Sequence, residues 1–293
     1  MVSFITNLIN GLSLGSIYAI IAIGYTMVYG IAKMLNFAHG DIIMVAGYAS
    51  YIVMTKLGLG APLGILAAVV ICTALGIAVE AIAYKPLRKA ASPLAVLITA
   101  IGVSYFLQNA ALLIFGSNPI IYSSVVPFNT VQIGPFQIPG TTIVSIVTSV
   151  VLVSVLQLFI NRTKSGQAML ACAQDRDAAS LMGISVNRTI SLTFAIGSAM
   201  AGIAGVLLCS AYPSLSPYTG AMPGIKAFVA AVFGGIGSIP GAMIGGLLLG
   251  VIEIFGRTYI SSQLSDAIVF AVLIVVLLVK PTGLMGRQIQ EKV

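Results

Sequence analysis

Residues Arg162 to Arg188 read RTKSGQAMLACAQDRDAASLMGISVNR, the one long charged stretch in a chain that is otherwise almost entirely apolar. Thr142 to Ile160 precedes it and Ile190 to Ala211 follows it, each close to the roughly 20 apolar residues a helix needs to cross a bilayer. A polar segment held between two such runs is a water-side loop of a membrane protein. Its length gives a partner a surface through which to act on the spans.

Composition supports this reading. The 293 residues are 59% hydrophobic and 7% charged, too few polar side chains to cover a soluble domain. Lipid-facing backbone must pair its own hydrogen bonds, and the runs lack the alternation of barrel strands, so the expected fold is all-α and polytopic. The candidate spans are Ile5 to Ile31, Ile42 to Met54, Leu63 to Tyr84, Leu94 to Phe115, Thr142 to Ile160, Ile190 to Ala211, Ile225 to Phe233, Ala242 to Phe255 and Ala267 to Val279. They give about eight to nine transmembrane helices within one permease domain over residues 1–293, with 162–189 as its cytoplasmic loop. Ile42 to Met54 and Ile225 to Phe233 are too short for a full crossing and read as broken or re-entrant helices. The first run, Phe4 to Ile31, lacks a basic flank and a small-residue cleavage pattern, so it is expected to be retained as a span.

Basic residues set the orientation. Lys33, Lys85, Arg88, Lys89, Arg162, Lys164, Arg176, Arg188, Lys280, Arg287 and Lys292 fall on one side of this threading, and only Lys56, Lys226 and Arg257 oppose them. The rule that Lys and Arg collect in cytoplasmic loops puts the N-terminus outside and the C-terminus inside. The uncharged, proline-bearing loops Gly116 to Gly140 and Tyr212 to Gly224 then lie on the outer face as short, stiff connections. The first four spans and the last four run in opposite directions with Thr142 to Ile160 between them, the pattern of an inverted repeat.

Several chemistries are excluded or disfavoured. No Gly-Lys dipeptide occurs, so there is no Walker A loop and any ATP is handled by another chain. GGIGSIPG at Gly234 to Gly241 places Pro240 where a dinucleotide fingerprint needs its third glycine. One histidine and three scattered cysteines give no metal set, no disulfide framework and no catalytic cluster, so no cofactor and no enzymatic activity are expected. The net charge of +7 resides at span ends and not in a patch with exposed aromatics, which argues against nucleic acid. Asn161-Arg162-Thr163 and Asn187-Arg188-Thr189 match the glycosylation sequon but lie on the side read as cytoplasmic.

Two polar clusters remain. Asp177-Ala178-Ala179 followed by Ser180-Leu181-Met182-Gly183 reads as a short helix with an Asp at its N-cap and a Gly that stops it. Leu181, Met182 and Ile184 form an apolar knob beside Asp175, Arg176 and Arg188, suited to a cleft in a soluble partner; the competing reading is an amphipathic segment on the lipid surface. In Asn36-Phe37-Ala38-His39-Gly40-Asp41, Asp41 is expected to cap a helix starting at Ile42, Gly40 to permit the turn and His39 to bond a backbone carbonyl. Alternatively Asn36, His39, Gly40 and Asp41 line or gate a pathway for a zwitterion. Glu253 and Arg257 read as a helical ion pair, Glu80 as an acid one turn before Lys85, and Asp266 as an acid suiting the start of the last helix. The small-xxx-small pairs Gly11 and Gly15, Gly237 and Gly241, Gly241 and Gly245, and Gly246 and Gly250 read as close packing within the chain.

The spacing Asp-Ala-Ala-x3-Gly, from Asp177 to Gly183, resembles the Glu-Ala-Ala-x3-Gly motif by which ABC-importer permeases grip their ATPases; the further Ile-x-Leu-Pro of that motif is missing, Thr193 to Ile196 standing in its place. GLSLGSIYAIIAIGYTMVYGIAKMLNFAHGD (Gly11 to Asp41), AMLACAQDRDAASLMGI (Ala168 to Ile184) and KAFVAAVFGGIGSIPGAMIGGLLLG (Lys226 to Gly250) resemble the LivH-type permeases of branched-chain amino acid ABC importers, and the likeness spans nearly the whole chain. It implies a subunit of the bacterial cytoplasmic (inner) membrane that moves branched-chain or other amino acids into the cell. It also implies a second permease of the LivM type, two ATPases and an extracytoplasmic solute-binding protein as partners, besides surrounding lipid. By the same likeness Asp175, Arg176, Asp177, Ala178, Ala179, Leu181, Met182, Gly183 and Ile184 form the coupling helix. The residues alone leave an autonomous secondary carrier or channel open, although intramembrane acids are scarce for ion-driven transport.

Overall fold

The computed structural model describes residues 2–89, 93–127, 130–134 and 136–286. Arg287 and Lys292 of the basic set lie outside them. Every apolar run becomes a helix. In chain order these are α1 (Val2–Ala32), α2 (His39–Tyr51), α3 (Ala61–Val79), α4 (Pro93–Phe115), α5 (Gly140–Arg162), α6 (Lys164–Gln174), α7 (Arg176–Leu181), α8 (Val186–Ala211), α9 (Ala221–Gly234), α10 (Ile239–Tyr259) and α11 (Ser265–Val279). Six of the described helices have the length and apolarity to cross a membrane, with α9 and α11 apolar but shorter. The molecule is a polytopic membrane protein.

Two helices end in a wider turn. α2 continues as π-helix through Ile52–Lys56 and α3 through Glu80–Tyr84. A π turn inserts a residue into the i→i−4 ladder and re-aims the chain beyond it; in α3 it is the turn that holds Glu80 and Tyr84.

The centre of the bundle is α1, antiparallel to α10. Phe4 meets Phe255 edge-on at 5.1 Å, Gly11 lies against Val251 and Gly15 against the Leu247 carbonyl, where a Cβ would stand 2.7 Å from the oxygen. Glycines remove the side-chain layer and let the backbones touch, which is how helices associate without a hydrophobic drive between them. α3 and α8 form a second antiparallel seam of the same kind, with Gly202 against Ala68 and Val69, and Gly76 against Ser198. α2 lies along α8, and α9 along α1 and α10. The glycine pairs therefore do pack within the chain; Gly237, at φ +94°, has its Cα 3.3 Å from where a Cβ on Gly30 would stand.

α2 and α9 are short because both start inside the bundle. His39, at the first turn of α2, is packed beside Gly24 and Tyr25, well before the end of α1. The start of α9 meets it there: a Cβ on Gly40 would lie 2.7 Å from the Gly220 carbonyl and 3.2 Å from Gly224 Cα. Segment 33–38 leads into α2 from the end that carries the C-terminus of α1, and segment 212–220 leads into α9 from the other end.

The two uncharged loops hold structure that composition did not suggest. β1 (Ile120–Ile121) pairs antiparallel with β4 (Ser214–Leu215), joining the loop after α4 to the loop after α8, and β2 (Thr130–Ile133) forms a hairpin with β3 (Phe136–Pro139). Tyr122 fastens this layer to the bundle through a 2.8 Å hydrogen bond with Ser50; burial pushes its phenol up to about 12, so at neutral pH it stays a protonated partner.

Candidate coupling surface and intramembrane polar sites

The charged stretch folds into two helices at the end of the bundle where α1 stops. Thr163 caps α6, accepting from Gly166 N at 3.0 Å. Asp175 ends α6 and caps α7, its Oδ1 accepting from Asp177 N at 2.9 Å and Ala178 N at 3.0 Å. The capping acid is thus Asp175, and Asp177 stands in the first turn, where a negative charge suits the free N–H groups. Gly183 at φ +81° ends the helix in the left-handed region that glycine adopts without strain.

The side chains of α7 divide by face. Ala179 is buried and Ile184 packs inward against the core, whereas Leu181 and Met182 are 89% and 82% exposed. The knob is therefore Leu181 and Met182, without Ile184. Asp177 and Ala178 are exposed beside it. Arg176 braces the whole unit: its Nη2 donates to the Ile31 carbonyl at 3.1 Å, satisfying an end group of α1. Burial, then the neighbouring charge of Arg88, pulls the Arg176 guanidinium below its ordinary value. The Arg176–Ile31 bond links the start of α7 directly to the end of α1.

At the same end, Glu80 is buried and paired with Arg88, not with the exposed Lys85, and it accepts from Ser191 Oγ at 2.6 Å. Arg88 also donates to Asn187 Oδ1 at 2.5 Å. These bonds tie the π turn of α3 to the first turns of α8, directly after α7. Tyr84 in that turn donates to Asn36 Oδ1 at 2.9 Å, extending the tie to the segment before α2.

The Asn36 to Asp41 cluster is buried inside the subunit. Asp41 does not cap a helix at Ile42. The helix begins at His39, the N-cap is Ala38 with no side-chain bond, and Asp41 lies in the first turn. Its Oδ1 accepts from Gln108 Nε2 of α4 at 2.9 Å. His39 Nε2 and Asn36 Nδ2 are buried without a hydrogen-bond partner. Gly40 is needed for the approach of α9 described above.

A third cluster joins α1, α9, α10 and α11. Glu253, 1% exposed, accepts from Lys226 Nζ at 2.8 Å, Arg257 Nη2 at 3.0 Å and Tyr18 OH at 2.9 Å, and Lys226 Nζ also meets Asp266 Oδ1 at 2.6 Å. The anticipated Glu253–Arg257 pair exists, but it is one edge of a buried network. Lys226, read as a charge near the outer face, bridges its two acids, and Asp266 serves that lysine as well as the start of α11.

Residues 7–277 match the family model described as branched-chain amino acid transport system / permease component. The chain belongs to this family. The high-affinity branched-chain amino acid transport system permease protein LivH of Salmonella typhimurium is 46% identical to it, over 99% of this chain and 98% of that protein. The corresponding permease protein BraD of Pseudomonas aeruginosa is also 46% identical, over 99% and 98%. Among solved structures, PsaBC from Streptococcus pneumoniae in complex with Fab aligns with 93% of this chain and 91% of that one, at a TM-score of 0.49 and 16% identity.

For a permease component, the groups that sequence reasoning missed are Tyr18, Lys226 and Gln108, all acting across helices. A lysine inside the apolar run after Gly224 was the available signal for the network, since a buried ammonium demands an acid. Gln108 was the corresponding signal in α4.

Proposed function

We propose that this chain is the permease subunit of an ATP-driven ABC importer for branched-chain or related amino acids, hydrolysing no ATP itself. It works with a second permease, two ATPases and an extracytoplasmic binding protein in a bacterial cytoplasmic membrane. The observation that carries the proposal is the α7 unit: a short capped helix presenting Leu181 and Met182 to solvent while Arg176 holds the end of α1. An ATPase cleft that takes this knob moves α1 and, through Asn187 and Ser191, α3 and α8. No catalytic or metal-ligating set is required of this chain.

The clustering of Lys33, Lys85, Arg162, Lys164, Arg176, Arg188 and Lys280 around that end supports placing it in the cytoplasm, with the N-terminus outside. The architecture is best read as an inverted repeat, α1 to α4 against α8 to α11, with α5 between. Exchange of the halves maps the α1–α10 seam onto α8–α3, α9–α1 onto α2–α8, and α2–α3 onto α9–α10, and each pair is packed in the molecule. α2 and α9 then enter from opposite sides and meet midway, and the remaining long helices with α11 complete the eight or nine membrane passages. In transporters built this way, solute passes near the meeting of broken helices, which supports a pathway role for Asn36, His39, Gly40 and Asp41.

The test is reconstitution with the partner permease, ATPases and binding protein in liposomes. ATP-dependent uptake of leucine, isoleucine or valine is expected, with uptake and ATPase binding both lost in Leu181→Asp/Met182→Asp. Uptake by this chain alone on an ion gradient would contradict the proposal.

A further inference from the structure

Charged groups inside the bundle nearly all come in pairs. Glu80 meets Arg88, Glu253 meets Lys226 and Arg257, and Asp266 meets Lys226. Asp41 is the exception: among the described residues, no Lys or Arg nitrogen lies within 4.0 Å of its carboxylate. It is 2% exposed, in the first turn of α2, and its carboxylate is held by Gln108 Nε2 at 2.9 Å, which in turn reaches Ser104 Oγ at 3.2 Å. A carboxylate taken into a low-dielectric bundle without a counter-ion is costly, and such a residue in a transporter marks a point on the solute path.

The helix covering Asp41 is loosely held. α4 touches the bundle chiefly along α2 and the π turn of α3, and Leu94, Ile98, Tyr105, Phe106 and Leu113 all face outward. Gln108 and Ser104 are half-buried on its inner side. The acid is therefore one side-chain layer beneath a helix with little to hold it, and a small outward swing of α4 uncovers it.

We propose that Asp41, oriented by Gln108, receives the ammonium group of the amino acid during its passage. The chemistry matches: a primary ammonium carries a full positive charge and three N–H donors, and the site offers an anionic acceptor, an amide oxygen and a hydroxyl. An uncharged solute would give no reason to keep an unpaired acid here. The inference rests on the amino acid permease reading above and names the recognition element within the cluster that reading assigns to the pathway.

The experiment uses the complete importer in proteoliposomes, with binding protein outside and ATP inside, and follows leucine uptake, basal ATPase activity and complex assembly. Asp41→Asn keeps the shape and a bond to Gln108 but removes the charge. Uptake is expected to fall by about tenfold or more, the weight of one charge-assisted hydrogen bond, with assembly unchanged. Gln108→Lys brings a permanent ammonium onto Asp41; the complex assembles and uptake is abolished, because the site is already occupied. If Asp41 has only a structural role, pairing its charge is harmless, so wild-type uptake in Gln108→Lys overturns the proposal even where Asp41→Asn fails to assemble. Wild-type uptake in Asp41→Asn overturns it equally. A wild-type complex that hydrolyses ATP but moves no amino acid refutes the permease reading itself, a distinguishable result.

Discussion

α1 and α4 are both apolar helices of crossing length, yet one is buried along nearly its whole length and the other has few fully buried residues. Hydropathy does not separate them. α1 presents Gly11, Gly15 and Gly24 to the backbones or rings of α10, α8 and α2, whereas Gly102 of α4 has nothing within 4 Å of where its Cβ would be. Close approach follows small residues that meet a partner, and apolar bulk alone leaves a helix facing lipid or another subunit. The central helix also carries the polar ties, Tyr18 to Glu253 in its middle and Arg176 at its end.

The contrast breaks most visibly at the network around α1. Glu253→Ala leaves Lys226 buried beside only the half-exposed Asp266 and removes the acceptor of Tyr18, so a loss of about 3–5 kcal/mol is expected, seen as a lowered thermal midpoint in detergent. Next comes Gly15→Val, which forces the α1 and α10 backbones apart; overpacking of this kind costs about 1–3 kcal/mol and should reduce the yield of monodisperse protein. Arg176→Ala removes a charged hydrogen bond to the end of α1, at about 1 kcal/mol, and is expected to lower coupling, read as ATPase turnover per amino acid imported, while leaving the fold intact. The smallest effect should be Gly102→Val on α4, within about 0.5 kcal/mol of wild type in the isolated subunit. If Gly102→Val were as damaging there as Gly15→Val, the difference between the two helices would fail.

Much of this can be read from the sequence. Runs of apolar residues located every crossing helix, because lipid leaves a backbone no other way to satisfy its polar groups. The two spans too short to cross, at Ile42 to Met54 and Ile225 to Phe233, do correspond to helices that begin within the bundle. Local signals also placed α7 correctly, although the cap shifted to Asp175 because an Asp in extended conformation, with φ −153°, reaches the N–H groups two and three residues on better than one already in the helix. Failures came where the partner is distant in sequence. Glu80 chose Arg88 over Lys85 because the π turn re-aims the chain after it, and Asp41 turned to Gln108 because the helix starts two residues before it. The strand pairing of Ile120 with Leu215 joins loops with no charge pattern to betray it.

On the proposal above, α7 is the surface through which ATPases drive this permease. Ala178 is exposed on that helix, so Ala178→Arg disturbs the interface without touching the bundle. The decisive measurement is purification of the tagged wild type and of Ala178→Arg from native membranes, with mass spectrometry of the proteins that remain bound. A second permease is expected with both proteins and Walker-containing ATPases with the wild type only; equal recovery of the ATPases with the variant, or a wild-type chain that purifies alone and still transports, would contradict the coupling role of α7.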